Sequence, residues 1–278
     1  MIKIGEYQEL TIAREMPQGL YLEDEEGAEV LMPGPFITED MKVDDKLRVF
    51  VYCDSSDREI ASTEKPLMIV NEFAYLEVTA VTEHGAFCDW GVSKELFLPF
   101  SNQAQRVKAG QKYVVHMYLD EVSERLVGST KLNPFLYNEA DEEDFKMGQE
   151  VQLLVYAESD LGYKVIIDQT HTGLVYKNET HKKLQIGDRL KGYVKPIRSD
   201  KKIDISLYPI GHQSIEPNAQ LIMDKLNKND GFLPFTDKSD PDLIRKTFGI
   251  SKKLFKKALG NLYKQKLVLL KPDGIYKV

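Results

Sequence analysis

Through the first 207 residues, short apolar runs alternate with turn residues, and the runs recur at a fixed spacing. Three glycines beside apolar and aromatic residues, Gly19, Gly85 and Gly162, serve as origins. Fourteen positions on stand Pro33, Pro99 and Tyr176, each ending an apolar run; twenty-five positions on, Asp44, Gly110 and Gly187 each open another. Forty-three or forty-four positions on, the unit closes with Ser62, Ser129 and Ser206. Runs rich in Val, Ile, Tyr and Phe, punctuated by Gly, Asn and Asp, are the signature of strands and turns. The spacing predicts five strands per unit, wrapped into a small barrel that leaves no open sheet edge. The origin glycine predicts a sharp strand bend or bulge.

After Pro209 the period changes to that of helices, with Ile210–Ser214 read as a hinge. A first helix is expected from about Asn218 to Asn229, burying Leu221, Ile222 and Leu226. Ser239 or Asp240 caps a second helix, which has Pro241 in its first turn and Gly249 at its end. Ser251 caps a third from Lys252 to about Lys266, with a buried stripe of Leu254, Phe255, Ala258, Leu259 and Leu262. Residues 267–278 read as a hairpin. Three helices and a hairpin make a winged-helix plan, whose third helix often enters a groove of nucleic acid. Lys252, Lys253, Lys256, Lys257 and Lys264 fall on or beside its exposed face, with Lys271 on the wing. The fold expected is mainly β and multidomain: barrels over residues 1–65, 66–140 and 141–210, then an α+β winged helix over 215–278.

Charge changes the picture once it is divided along the chain. The net charge is −7, but it is −9 over residues 1–63 and −7 over 64–144, against +3 over 145–214 and +6 over 215–278. A phosphate-binding surface is therefore expected mainly in the C-terminal half. No stretch reaches the roughly eighteen apolar residues of a membrane helix, and the N-terminus lacks a secretory pattern, so the expected location is cytoplasmic. Cys53, Cys88 and the five histidines show no metal-ligand spacing, and no phosphate loop, nucleophile elbow or HExxH pattern occurs. No enzyme, cofactor or metal site is expected. The acidic clusters at 23–26 and 141–144 read as a solvated turn and a linker.

The second repeat carries a resemblance. Gly85-Ala86-Phe87, Leu96-Phe97-Leu98-Pro99-Phe100-Ser101 and Ala109-Gly110-Gln111-Lys112-Tyr113-Val114-Val115, followed by Asp120, Arg125 and Ser129, resemble the S1 RNA-binding domain, an OB-fold member. The resemblance implies an RNA-binding face of His84, Phe87, Asp120 and Arg125 in this repeat, with Pro99 where the family often has His. In the first repeat it implies Tyr21, Asp54 and Arg58; in the third, Tyr176 and Lys202, with Lys164 where an aromatic is usual and Arg198 where an Asp is usual. Such rings stack on bases while nearby cations attract phosphates. Tyr21 is read here as a core residue, and for Phe87 core and stacking both stand open. Leu233–Pro241 and Phe248–Lys264, together with three S1-like repeats, resemble the conserved virulence factor B (CvfB, YitL-type) family of bacterial proteins. That resemblance implies RNA binding linked to post-transcriptional control of gene expression, without catalysis. The expected partner is single-stranded or structured RNA, held mainly by the third barrel and the winged helix. The alternative is a protein-interaction scaffold or DNA-binding transcription factor that uses the winged helix.

Overall fold

The computed structural model describes residues 1–180, 183–209 and 217–278, and its strands up to Ser206 form three closed five-stranded barrels. The first comprises β1 (Tyr7–Met16), β2 (Gly19–Glu23), β3 (Glu29–Pro33), β4 (Lys46–Cys53) and β5 (Glu59–Ser62). The second comprises β6 (Phe73–Val81), β7 (Gly85–Asp89), β8 (Leu96–Pro99), β9 (Lys112–Asp120) and β10 (Arg125–Ser129). The third comprises β11 (Glu150–Glu158), β12 (Gly162–Ile167), β13 (His171–Tyr176), β14 (Arg189–Val194) and β15 (Ile203–Ser206). In each, the spatial order of the strands is first, second, third, fifth, fourth. Third and fifth strands meet in parallel where this pairing is seen, Leu31 opposite Ile60 and Phe97 opposite Val127.

The landmarks of the repeat acquire physical roles. Each origin glycine opens the second strand of its barrel, and the bulge expected there lies instead in the preceding strand, between Ile12 and Arg14, Val78 and Ala80, and Val155 and Ala157. What Gly19 and Gly85 permit is close approach: a Cβ would stand 2.1 Å from the Met32 carbonyl oxygen at Gly19, and 2.7 Å from both the Leu98 carbonyl and the Phe97 ring at Gly85. The position twenty-five residues on is left-handed in all three copies, with φ of 75° at Asp44, 77° at Gly110 and 95° at Gly187, which is why Gly or Asp recurs there. Each closing serine ends the fifth strand by accepting the amide two residues on: Glu64 to Ser62 at 2.9 Å, Lys131 to Ser129 at 3.1 Å, Tyr208 to Ser206 at 3.0 Å.

The chain divides into two compact units. One holds Met1–Ala140, Gln152–Leu174 and Leu184–Leu190; the other holds Asp141–Val151, Val175–Lys183 and Lys191–Val278. In the first unit the continuous apolar runs are explained by burial on both faces of a strand. In β4, Val49 and Val51 point into the first barrel's core, while Phe50 and Tyr52 join a cluster with Trp90, Leu76 and Met117 of the second barrel. Trp90 meets Phe50 at 5.7 Å and Tyr52 at 6.1 Å, both edge-on. In β9, Val115 and Met117 fill the second barrel, while Val114 packs in a cluster with Phe73, Leu132, Leu154 and Ile166. Gln169 bonds the Phe73 amide at 2.8 Å, and Arg189 donates to its carbonyl at 3.0 Å.

In the second unit, α1 (Pro217–Lys228), β16 (Phe232–Leu233), α2 (Pro241–Phe248), α3 (Lys252–Lys264), β17 (Val268–Lys271) and β18 (Gly274–Lys277) make the winged-helix fold. Asp240 caps α2 by accepting from the amides of Asp242 and Leu243, Gly249 ends it at φ 71°, and Ser251 caps α3. Phe235, Phe248 and Phe255 pack with Ile222, Leu226, Leu259 and Leu262 in the core. Two apolar expectations are corrected: Leu221 is 42% and Leu254 41% exposed, because each lies at the edge of its helix's stripe; Ala219 and Met223 join Ile222 and Leu226 inside, and Phe255, Ala258, Leu259 and Leu262 stay buried as expected. Beyond the expected hairpin, short β16 adds a third strand beside β18. The expected hinge at Ile210–Ser214 lies outside the described residues. Among the described residues no helix is long and apolar enough to cross a membrane.

His116 sits in β9 at 3% exposure, 4.5 Å from the Phe73 ring and 4.0 Å from the Phe135 ring, and its Nδ1 has no hydrogen-bond partner. Burial pushes its pKa down to about 4. The folded state thus disfavours a proton that the unfolded chain takes up near pH 6.5, so stability is lost as pH falls from about 6.5 toward 4. The loss from this group is ~3 kcal/mol when complete. Denaturant melts of His116→Phe across this range should show a shallower acid decline than the parent protein.

Candidate nucleic-acid interface

In the second barrel, alternation along the strands sorts core from surface. Ala86 and Cys88 on β7, and Leu96 and Leu98 on β8, are buried; burial pushes the Cys88 thiol up to about 12. The residues between them, Phe87 and Phe97, face outward and are half-buried. They stand directly opposite in the strand register, with ring centroids 5.3 Å apart and planes inclined at 43°. His84, at the turn before β7, is largely exposed and lies 3.4 Å from Glu83. Arg125 opens β10 with its guanidinium exposed. These residues line one groove of about 510 Å³, walled on the far side by Tyr52, Cys53 and Asp57 of the first barrel.

The structure therefore brings together three of the residues expected on this face, His84, Phe87 and Arg125, and adds Phe97, Trp90, Lys94 and Asp57. Phe97 was legible as the outward residue between two buried leucines. The others arise from the packing of two barrels. Arg125 and Lys94 both pair with Asp57, the latter at 3.4 Å, and the Lys94 ammonium also donates to the Asp54 carbonyl at 2.6 Å. Asp120 belongs to the β9–β10 turn, where its carboxylate accepts from the Ser123 hydroxyl at 2.6 Å and amide at 2.9 Å. The Ser123 hydroxyl chiefly holds that carboxyl below its usual range.

The first barrel departs from expectation at Tyr21. Leu20 and Leu22 take the core, and Tyr21 lies half-buried on the outside with the Arg14 guanidinium 4.3 Å over its ring. Arg14 is paired with Glu29, and Arg58 with Asp54 at 2.6 Å. In the third barrel Tyr176 is half-buried; its hydroxyl lies 3.3 Å from Asp204 and 3.4 Å from Arg198. Arg198 also meets Asp200 at 3.0 Å and Asp204 at 3.8 Å, and these carboxylates raise its pKa. Lys195 stands 5.5 Å over the Tyr176 ring, and Lys202 is exposed where the chain enters β15. Lys164, on β12 in the other compact unit, is exposed opposite Ala157.

On α3, helical periodicity sets Lys253, Lys257, Gly260 and Lys264 in one ridge opposite buried Phe255, Ala258, Leu259 and Leu262. Lys252 is turned back, donating to the Lys238 carbonyl at 3.2 Å, and Lys256 lies 3.8 Å from Asp237. On the wing, Lys271 covers the Tyr276 ring at 4.3 Å.

Two family models match parts of this chain. Residues 4–64 match the S1 domain and residues 220–276 the CvfB-like winged helix domain. The protein named YitL of Bacillus subtilis is 28% identical over 94% of this chain and 89% of its own length. Conserved virulence factor B of Staphylococcus epidermidis is 25% identical over 85% of this chain and 81% of its own. A crystal structure of a multidomain protein with nucleic acid binding domains from Streptococcus pneumoniae is 24% identical, covers 99% of this chain and 98% of that one, and has a TM-score of 0.43.

Gly260 sits in mid-helix with no atom within 4 Å of the place a Cβ would take. Gly260→Ala is accordingly expected to stabilise the winged helix by about 0.5–1 kcal/mol, read as a higher melting temperature.

Proposed function

We propose that this chain, a homologue of the YitL and conserved virulence factor B proteins with an S1 domain and a CvfB-like winged helix, is a cytoplasmic RNA-binding protein without catalytic activity. Its two matched domains make nucleic acid the ligand class. In this reading it acts as a post-transcriptional regulator of gene expression. The observation that carries RNA is the outward pair Phe87 and Phe97, two half-buried rings in a groove with His84 and Arg125. Rings on an open barrel face take unpaired bases, which a duplex keeps stacked inside, so the strand bound is single or carries loops.

Phosphate attraction has a different source. The groove is flanked by Asp57, Glu83 and Glu95, so its field is not strongly positive. Net charge is positive only from residue 145 onward. The third barrel, through Lys164, Tyr176, Arg198 and Lys202, and the α3 lysines thus supply most of the hold on the backbone, while the middle barrel stacks bases. A second reading is favoured by the apolar residues exposed on the winged helix, Leu254 at 41%, Tyr263 at 55% and Leu269 at 50%. Such a surface also suits a protein partner, and α3 could equally enter a duplex groove.

Two variants of the full chain test this. Phe87→Ala is expected to weaken single-stranded RNA binding by about 1–3 kcal/mol with only a small drop in melting temperature, since the ring is half exposed. Unchanged affinity would remove the stacking reading. Changing Lys253, Lys256, Lys257 and Lys264 to Gln should lower the log-log salt slope by about 0.7 per lost contact on a single strand. A slope lowered on duplex DNA alone, or on neither, favours the second reading.

A further inference from the structure

The β4–β5 turn of the first barrel reaches into the groove of the second. It is tightly built: the Asp54 carboxylate accepts from the amides of Ser56 at 2.8 Å and Arg58 at 3.1 Å, and the Asp57 amide reaches the Asp54 carbonyl at 3.0 Å. Asp57 itself sits at φ 59°, a left-handed conformation that lifts its side chain off the turn. The turn is anchored from both sides, by Tyr52 against Trp90 and by the Lys94 ammonium on the Asp54 carbonyl. The Asp57 carboxylate, 43% exposed, consequently meets Arg125 and Lys94, the cations of the groove that holds Phe87 and Phe97.

We propose that this groove is a composite nucleotide site of the first two barrels, in which Asp57 is an internal substitute for phosphate that a bound strand must displace from Arg125 and Lys94. The inference rests on the reading of Phe87 and Phe97 as base-stacking rings. A strand that seats a base on these rings brings its phosphate toward the two cations, and the Asp57 carboxylate then turns into solvent. Exposed ion pairs are weak, so the exchange is available at room temperature while still lowering affinity. Asp57 thereby sets how strongly the site holds phosphate relative to base, and makes the first barrel part of the site although its Arg14 and Arg58 are paired with Glu29 and Asp54.

Asp57→Asn in the full chain is the direct test, because Asn keeps the shape and tolerates positive φ. With a labelled oligouridylate as probe, binding should tighten about two- to fivefold. The log-log salt slope should steepen by about 0.7 for each phosphate newly held. Asp57→Gly, which also suits φ 59°, should act in the same direction, and the gain should largely vanish when Arg125→Gln is added. Unchanged or weaker binding in both variants, at an unchanged melting temperature, overturns the proposal. Phe87→Ala separates the two claims: if it weakens binding while Asp57→Asn does not tighten it, only the displacement fails, whereas no effect of Phe87→Ala removes the stacking site itself.

Discussion

Burial of single strands on both faces holds the first unit together. A barrel strand needs only its inward residues to close a core, yet β4 carries Phe50 and Tyr52 outward as well and sets them against Trp90. Each large ring removed from water contributes about 1.5–3 kcal/mol, more than any exposed ion pair of these barrels. That contact fixes the angle at which the β4–β5 turn leaves the first barrel, and so places Asp54 and Asp57 beside Lys94 and Arg125. The groove is a consequence of apolar packing outside either core.

Much of this was legible in the sequence, for reasons that differ by element. The barrels could be read because their landmarks answer to backbone needs: close approach at Gly19 and Gly85, a left-handed turn at Asp44, Gly110 and Gly187, and a strand-ending turn at each serine. The capping residues of α2 and α3 were equally direct. Tyr21 was misread because an aromatic in a strand suits either face, and only the parity of Leu20 and Leu22 decides. Leu221 and Leu254 show the same limit on helices, where the edge of an apolar stripe is set by neighbouring elements. The run Val49-Phe50-Val51-Tyr52 is continuous where a one-faced strand alternates, but no local pattern names the surface that the outer face covers. Asp57 had no signal at all, since its partners Arg125 and Lys94 belong to a barrel that lies next to it only after folding.

The charges show why net charge alone is a coarse guide. Arg14, Arg58, Arg125 and Arg198 are each met by a carboxylate: Glu29, Asp54, Asp57, and Asp200 with Asp204. At these four arginines the charge is compensated at short range, and the segment sums describe the field further out. On α3 the lysine ridge stands on a helix whose opposite side is committed to the core.

The two-faced strands also bear on how the protein can be dissected. Three copies of one unit suggest three interchangeable pieces, but their outer surfaces are not alike. Cutting between the first and second copies would bare Phe50 and Tyr52 on one fragment and Trp90 on the other; cutting after the second would uncover Phe73, Val114 and Leu132. Such patches are what drives isolated pieces to self-associate or precipitate. A soluble shortened form would need replacements on those outer positions, so the repeat boundaries are poor guides to where this chain can be cut.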